Sequence, residues 1–207
     1  DRNLILRNNA SANAFSGIQI YKSAETTIAE NTAASNNYSG IASVSSIKSR
    51  ITDNNLSQNR YGINLAGASD DEVTGNLAVS NLMQGIKVAD SMNLSLKENQ
   101  LHNNRDALLI TNSQSIEAYS NNASLNELGM AFQNCRLCTV KENIISKNSN
   151  GLVLAGSSQC TLSSNRIFYN RLEGLALGGS HENLIQENQL QGNYDGIYMD
   201  NSINNSV

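Results

Sequence analysis

The stretch Asn193-Tyr-Asp-Gly-Ile-Tyr-Met-Asp-Asn-Ser202 decides the fold, because shorter versions of it recur along the whole chain. One of them is Asn59-Arg-Tyr-Gly-Ile-Asn-Leu65. In each version a Gly, or once an Ala, precedes an aliphatic residue or Met and serves here as an anchor. Successive anchors are 22 or 23 residues apart. They are Gly17, Gly40, Gly62, Gly85, Ala107, Gly129, Gly151, Gly174 and Gly196.

The difference between 22 and 23 residues is confined to one short segment of the repeat. Each anchor is followed after 19 residues by an Asn, and this Asn precedes the next anchor by 3 or 4 residues. We call the segment from this Asn to its anchor the corner. The corner asparagines are Asn13, Asn36, Asn59, Asn81, Asn104, Asn126, Asn148, Asn170 and Asn193. A second row of asparagines lies five residues before them, from Asn8 to Asn188.

Apolar residues next to these landmarks alternate with a period of two, which indicates strands rather than helices. Positions one and three after the anchor are almost always apolar, as in Ile63 and Leu65. The repeat therefore predicts an all-β parallel β-helix of about nine coils, in which equivalent residues stack at ~4.8 Å. Stacked asparagines can bond along the axis as ladders, and we interpret both Asn rows as structural.

Composition narrows the class of protein. The chain has 207 residues, 33 of them Asn, with no Pro and no Trp and a net charge of −4. The strict placement of the apolar residues argues against disorder, although so much Asn with few aromatics could suggest it. We expect one domain over residues 1–207. We expect no nucleic-acid partner because a basic footprint is missing, and no membrane span because no apolar run is long enough.

The segments 59–65 and 193–202 resemble the parallel β-helix repeat of NosD-type periplasmic proteins. The same repeat occurs in carbohydrate-binding and sugar-hydrolase β-helices and in mannuronan C5-epimerases. The resemblance implies a right-handed, single-stranded, pectin-lyase-like β-helix in the periplasm or at the cell surface. It also implies an extracytoplasmic scaffold or carbohydrate-binding module, with polysaccharide as a possible partner.

Two other functions stay open at this point. One is a polysaccharide lyase, hydrolase or epimerase with active residues on an outward face; the other is a NosD-like role in copper maturation. Epimerases of this fold carry an Asp-Pro-His motif, and a chain without Pro cannot contain it. No catalytic constellation is evident, so a non-catalytic role is favoured for this segment and no cofactor is expected.

Both ends of the sequence fall in the middle of a coil, and neither shows a capping element. Solenoids need caps to cover their core and their open strand edges. We therefore expect the chain to be a segment of a longer protein, with another domain or chain covering its ends.

The corner is the best candidate for a functional surface, because charge, aromatic residues and length variation coincide there. Loops on a rigid scaffold often carry function. Tyr and Arg side chains at this place could stack on sugar rings or bond to them. The alternative is that the apolar corner residues simply pack beneath the longer corners. The carbohydrate-binding candidates are Arg60, Tyr61, Arg105, Asp106, Tyr194 and Asp195.

Two further groups of residues are candidate sites. Cys135, Cys138 and Cys160 include a Cys-x-x-Cys, and Cys138 and Cys160 occupy equivalent positions in adjacent coils. Packing in the core is favoured for them, since the row of Cys138 and Cys160 also holds Leu94 and Ile116; a disulfide or a Cu(I) site are the alternatives.

The second group is a row of apolar residues two positions after the anchor. We predict that it forms an exposed strip that another chain or domain covers: Leu109, Ala131, Val153 and Ala176.

Overall fold

A computed structural model describes residues 2–207 of the chain. Within this range the chain forms 25 strands in three parallel sheets that wind around one core. The predicted fold class, an all-β parallel β-helix of about nine coils, is confirmed. The described residues include no helix long and apolar enough to cross a membrane.

Each coil passes through the three sheets in the same order. Sheet 1 contains β1 (Leu4–Leu6), β3 (Thr27–Ala29), β5 (Arg50–Thr52), β8 (Glu72–Thr74), β11 (Ser95–Lys97), β14 (Glu117–Tyr119), β17 (Thr139–Lys141), β20 (Thr161–Ser163) and β23 (Leu184–Gln186). Sheet 2 contains β6 (Asn55–Ser57), β9 (Leu77–Val79), β12 (Gln100–His102), β15 (Asn122–Ser124), β18 (Ile144–Ser146), β21 (Arg166–Phe168) and β24 (Gln189–Gln191). Sheet 3 follows the corner and contains β2 (Ile18–Tyr21), β4 (Ser39–Val44), β7 (Tyr61–Ala66), β10 (Gln84–Ala89), β13 (Asp106–Thr111), β16 (Leu128–Gln133), β19 (Asn150–Ala155), β22 (Glu173–Gly178) and β25 (Asp195–Asp200).

The register of the sheets follows the repeat. Leu96 of β11 pairs with Val73 of the preceding coil and with Ala118 of the next, and all three side chains are fully buried. Residues one and three after the anchor point inward as predicted, for example Leu152 and Leu154 at 0% exposure. The core is therefore a column of stacked aliphatic side chains.

The asparagine rows are buried hydrogen-bond ladders. The backbone N–H of Asn76 donates to Oδ1 of Asn99 in the next coil at 3.0 Å. Its side-chain amide donates to that same oxygen at 3.1 Å and to the carbonyl oxygen of Ile51 in the preceding coil at 2.8 Å. Because buried polar groups are costly unless paired, a ladder that pairs each amide in both axial directions fixes the coil spacing.

Four turns in every coil use the left-handed backbone conformation. Among the described residues, 36 have positive φ and 31 of these are not glycine. Each such residue immediately precedes an Asn of one of the two ladders, the residue six positions after an anchor, or the residue nine positions after it. Bulky examples are Leu125, Leu137 and Tyr169, with φ of 61°, 56° and 57°. Residues of this kind rarely adopt such angles, so the stacked coils hold them there.

The strip two residues after the anchor is not continuously exposed, which corrects the prediction. Leu109, Val153 and Ala176 are half-buried, whereas Ala131 is 0% exposed. Ala131 pairs with Leu109 on one side and Val153 on the other. Its methyl group is too short to rise above these two larger neighbours.

Candidate functional site

The length of each corner shapes the surface beside sheet 3. Four corners have the longer form, and the residue directly after their Asn is exposed in each: Ala14, Asn37, Leu82 and Arg171. Leu82 reaches 74% exposure. One depression, lined by Asn37, Arg60 and Leu82, lies over the short corner of coil 3, and another, lined by Leu125, Lys147 and Arg171, lies over the short corners of coils 5 to 7. We call the longer corners beside them ridges. Numbering the coils by their anchors, coils 1, 2, 4 and 8 carry ridges.

The first depression lies over coil 3 and continues from an aromatic stack. Phe15 and Tyr38 lie parallel with ring centroids 4.6 Å apart, and Tyr38 meets Tyr61 edge to face at 5.3 Å. The Arg60 guanidinium carbon lies 5.4 Å from the Tyr61 ring centroid and 5.9 Å from that of Tyr38. Lys87 Nζ lies 5.4 Å from the Tyr61 centroid. We call these five residues the aromatic patch.

The patch presents one exposed ring and two cations to solvent. Phe15 is 56% exposed, Tyr38 is half-buried, and Tyr61 is only 7% exposed. Arg60 is exposed and Lys87 is half-buried. Tyr61 was expected to face solvent, but it is covered by the side chains that pack around its ring. Tyr61 therefore positions Arg60 and Lys87 and offers little surface to a ligand.

A polar network adjoins the patch over coils 4 and 5. Asp106 is 6% exposed; its Oδ2 accepts a hydrogen bond from Gln84 Nε2 and lies 3.1 Å from Arg105 Nη2. Hydrogen bonding to Asp106 raises the pKa of the Arg105 guanidinium. Arg105 also donates to Met83 Sδ at 3.4 Å. Asp106 is therefore a nearly buried carboxylate that fixes the orientation of Arg105.

The six carbohydrate-binding candidates fall into two groups. Arg60, Tyr61, Arg105 and Asp106 lie in coils 3 to 5, where the two arginines are exposed and Tyr61 and Asp106 are buried. Tyr194 and Asp195 are exposed in coil 9, four coils or ~19 Å beyond Arg105 at the strand spacing. The structure does not bring them to the patch.

Sequence reasoning missed Lys87 as a member of the patch. Lys87 stands two residues after an anchor, in a row considered only for its apolar members. It reaches the Tyr61 ring diagonally, from the outer face of the next strand. Both residues belong to outward-facing rows of sheet 3, so their contact could have been predicted. That prediction would have required a comparison between different rows of adjacent coils, because Lys87 and Tyr61 do not occupy equivalent positions.

A second, wider depression lies over coils 5 to 7, between the ridges of coils 4 and 8. It has a volume of about 570 Å³. We call it the trough. Its charged lining residues are Glu127, Lys147 and Arg171, all exposed. Leu125, which also lines it, is 52% exposed.

The three cysteines are free thiols in the core. Cys135, Cys138 and Cys160 are 2%, 1% and 2% exposed. Cys138 Sγ lies 3.5 Å from the carbonyl oxygen of Arg136, and Cys160 Sγ lies 3.4 Å from that of Ser158. Hydrogen bonding to the Cys135 and Cys160 sulfurs, together with burial, raises the pKa of the Cys138 thiol.

Comparison with known proteins supports a family assignment. A family model described as periplasmic copper-binding protein (NosD) matches residues 1–84 and 64–207. No curated protein sequence matches the chain.

Solved structures share the fold at low sequence identity. The A-module of the mannuronan C-5 epimerase AlgE4 of Azotobacter vinelandii has a TM-score of 0.84 at 16% identity, covering 93% of this chain and 63% of that one. The periplasmic alginate epimerase AlgG has a TM-score of 0.70 at 21% identity, covering 90% and 49%. Tailspike protein 2 of the Escherichia coli O157:H7 bacteriophage CAB120 has a TM-score of 0.72 at 10% identity, covering 90% and 32%. The chain spans less than two-thirds of each of these proteins.

The thiols do not fit the copper that the family description implies. Copper(I) is bound by thiolates and thioethers, and a thiol must lose its proton to become such a ligand. The pKa of the Cys138 thiol is raised, whereas hydrogen bonding to Cys138 lowers the pKa values of Cys135 and Cys160, so the three thiols differ in how readily they lose a proton. Within residues 2–207, no group of three or more His, Cys, Asp or Glu is arranged to hold a metal ion.

Proposed function

The chain belongs to the NosD family of periplasmic copper-binding proteins, and we propose that this β-helix is an extracytoplasmic, non-catalytic module that binds polysaccharide at its corner. The observation that carries the proposal is the aromatic patch. Exposed aromatic rings can stack on the apolar faces of pyranose rings, while neighbouring cations can pair with carboxylate groups. Ligand sites commonly combine aromatic walls with a few placed polar groups.

The charges of the patch favour an acidic polysaccharide. Among the described residues, no carboxylate lies within salt-bridge distance of Arg60 or Lys87. The patch therefore places two cations beside an aromatic stack without a carboxylate that neutralises them. The structurally similar epimerases are named for alginate and mannuronan, which makes mannuronate oligosaccharides the appropriate first probe.

The proposal is tested by calorimetric titration of a mannuronate trisaccharide into wild type and Tyr38→Ala. Tyr38 links the stack to Arg60, so its loss should weaken binding about tenfold, as expected for an aromatic and cation–π contact worth ~1.4 kcal/mol. Tyr119→Ala is the matched control, because Tyr119 also lies beneath a lysine, with Lys141 Nζ 4.8 Å from its ring centroid, but on sheet 1. Binding that Tyr38→Ala leaves unchanged would overturn the proposal.

The same samples test the catalytic alternative. Asp106 is the observation that favours it, because general acid–base catalysis uses a positioned carboxylate and Asp106 is nearly buried beside Arg105. A lyase would generate unsaturated uronates, visible by ultraviolet absorbance, and an epimerase would change the NMR spectrum of the sugar ring. We expect neither change. Detection of either product would show that the protein is an enzyme and would refute the proposed non-catalytic role.

A further inference from the structure

We propose that the trough over coils 5 to 7 is a second subsite, and that one acidic polysaccharide chain lies along the corner and occupies both the trough and the aromatic patch. This inference rests on the proposed function and extends it. It assigns a binding role to Lys147, Arg171 and Leu125, and it gives the polymer a direction parallel to the axis of the β-helix.

The first argument is topographic. A residue is inserted in coils 4 and 8 but not in coils 5, 6 and 7, so the ridge residues Leu82 and Arg171 stand at the two sides of a three-coil gap. Three coils correspond to ~14 Å at the strand spacing. The floor is built by shorter corners, whose backbone follows the Asn ladder closely; Asn126, for example, donates to Asn148 Oδ1 at 2.9 Å through its N–H. The trough is thus a rigid depression and not a gap between mobile loops.

The second argument is charge. Among the described residues, neither Lys147 nor Arg171 has a carboxylate within salt-bridge distance. Glu127 also lines the trough and helps to raise the pKa of Arg105, so the charged lining consists of two cations and one carboxylate. Together with Arg60 and Lys87, the corner and the adjacent face of sheet 3 hold four unpaired cations from coil 3 to coil 8. This arrangement suits a ligand with a carboxylate on each unit better than a single anion.

The third argument is the exposed apolar surface between and beside the cations. Leu82 is 74% exposed on the ridge between the two depressions, and Leu125 is 52% exposed in the trough. Tyr169 is 57% exposed and Leu172 is 41% exposed beside Arg171. A uronate polymer alternates carboxylates with apolar ring faces, so it can meet both kinds of surface along one path. From Arg60 to Arg171 this path covers five coil steps, or ~24 Å.

The length dependence of binding tests the inference. Wild type should bind a mannuronate octasaccharide about 100-fold more tightly than the trisaccharide, because the longer ligand contacts both subsites at once and their binding free energies combine. In the double variant Lys147→Gln/Arg171→Gln, the affinity for the octasaccharide should fall to about that for the trisaccharide, whose own affinity should not change. The control double variant Lys97→Gln/Lys141→Gln removes the same charge from sheet 1 and should bind both like wild type.

The outcomes separate this inference from the proposed function. If neither oligosaccharide binds, the proposed function itself fails. If the trisaccharide binds at the patch but the octasaccharide binds no more tightly, or if Lys147→Gln/Arg171→Gln has no effect, the second subsite is refuted. An equal loss in the sheet 1 control would mean general attraction to charge and would also refute it. A neutral octasaccharide that binds equally well would refute the acidic class of ligand.

Discussion

Asp71 is a carboxylate buried at a turn between sheets 3 and 1. It is 1% exposed, and its Oδ1 accepts a hydrogen bond from the backbone N–H of Ser49 at 2.7 Å. Its Oδ2 has no hydrogen-bond partner among the described residues. In two later coils this row holds Asn183 and Asn205, whose amide oxygens accept from a backbone N–H of the preceding coil and whose NH₂ groups donate to a carbonyl oxygen there. Asp71 therefore occupies a ladder position with only half of the ladder's bonds.

Burial raises the pKa of Asp71 to about 7, and the hydrogen bond from Ser49 opposes that shift only in part. In the unfolded chain an Asp has a pKa of about 3.9. Since the folded state binds the proton more tightly, the contribution to stability is complete below about pH 4 and is lost as the pH rises to 7. A difference of about three pKa units corresponds to ~4 kcal/mol.

The replacement Asp71→Asn removes this loss. The amide oxygen can still accept from Ser49, and its NH₂ can donate where the carboxylate cannot. At pH 4 the variant and wild type should have similar free energies of unfolding. By pH 8 the variant should be more stable by up to ~4 kcal/mol.

Urea unfolding of both proteins between pH 4 and pH 8 measures this difference. Asp90→Asn is the matched control, because Asp90 is an exposed turn residue that accepts from Asn112 Nδ2 at 3.3 Å. The difference in the free energy of unfolding between Asp90→Asn and wild type should not rise between pH 4 and pH 8 as it does for Asp71→Asn. A constant difference between Asp71→Asn and wild type over this range would refute the reasoning that burial governs Asp71.

Three further changes probe the scaffold. A β-carbon at Gly129 would lie 2.6 Å from Ile145 Cγ2 and 2.5 Å from a backbone carbonyl oxygen, so Gly129→Ala should lower the free energy of unfolding by about 2–3 kcal/mol in urea titration. Gly178→Ala, where nothing lies within 4 Å, should change it by less than about 1 kcal/mol. Leu137→Asn should raise it by about 0.5–1 kcal/mol, since Asn tolerates the φ of 56° better; a lower midpoint would show that Leu137 has a packing role. Asn121→Asp removes the donors of a buried ladder amide and should cost about 3 kcal/mol or more at pH 7 in thermal or urea unfolding, whereas a loss below 1 kcal/mol would mean that the ladder bonds are easily replaced.

The sequence alone predicted the fold because the same physical requirement is repeated in every coil. Rows such as Asn76 and Asn99 face the same environment, so one pattern is confirmed nine times along the chain. The burial of Tyr61 could not be read in the same way. It depends on Arg60 and Lys87 packing around one ring, a contact that occurs once and involves different rows.

Asp71 escaped sequence reasoning for a related reason. It follows Asp70, and two adjacent carboxylates suggest an exposed turn. Asp70 does lie in such a turn, with a φ of 57° and an exposed side chain. Asp71, one residue later, points into the core. That Asp70 is exposed and Asp71 is buried could be predicted only from the rule that a residue with positive φ is followed by one that points inward.

The surface of the corner follows from the constraint that holds the remainder of the coil. An extra residue between an anchor and the next corner Asn would displace one ladder relative to the sheets, and buried amides such as that of Asn104 would lose their partners. An extra residue inside the corner only pushes a side chain such as Leu82 outward, because the Asn before it and the strand after it keep their bonds. Variation in length is therefore tolerated only where it changes the outer surface. The order of long and short corners therefore determines where the outer surface is raised and where it is depressed. Arg60 lines one of the two depressions and Arg171 lies at the side of the other, and neither has a carboxylate within salt-bridge distance among the described residues.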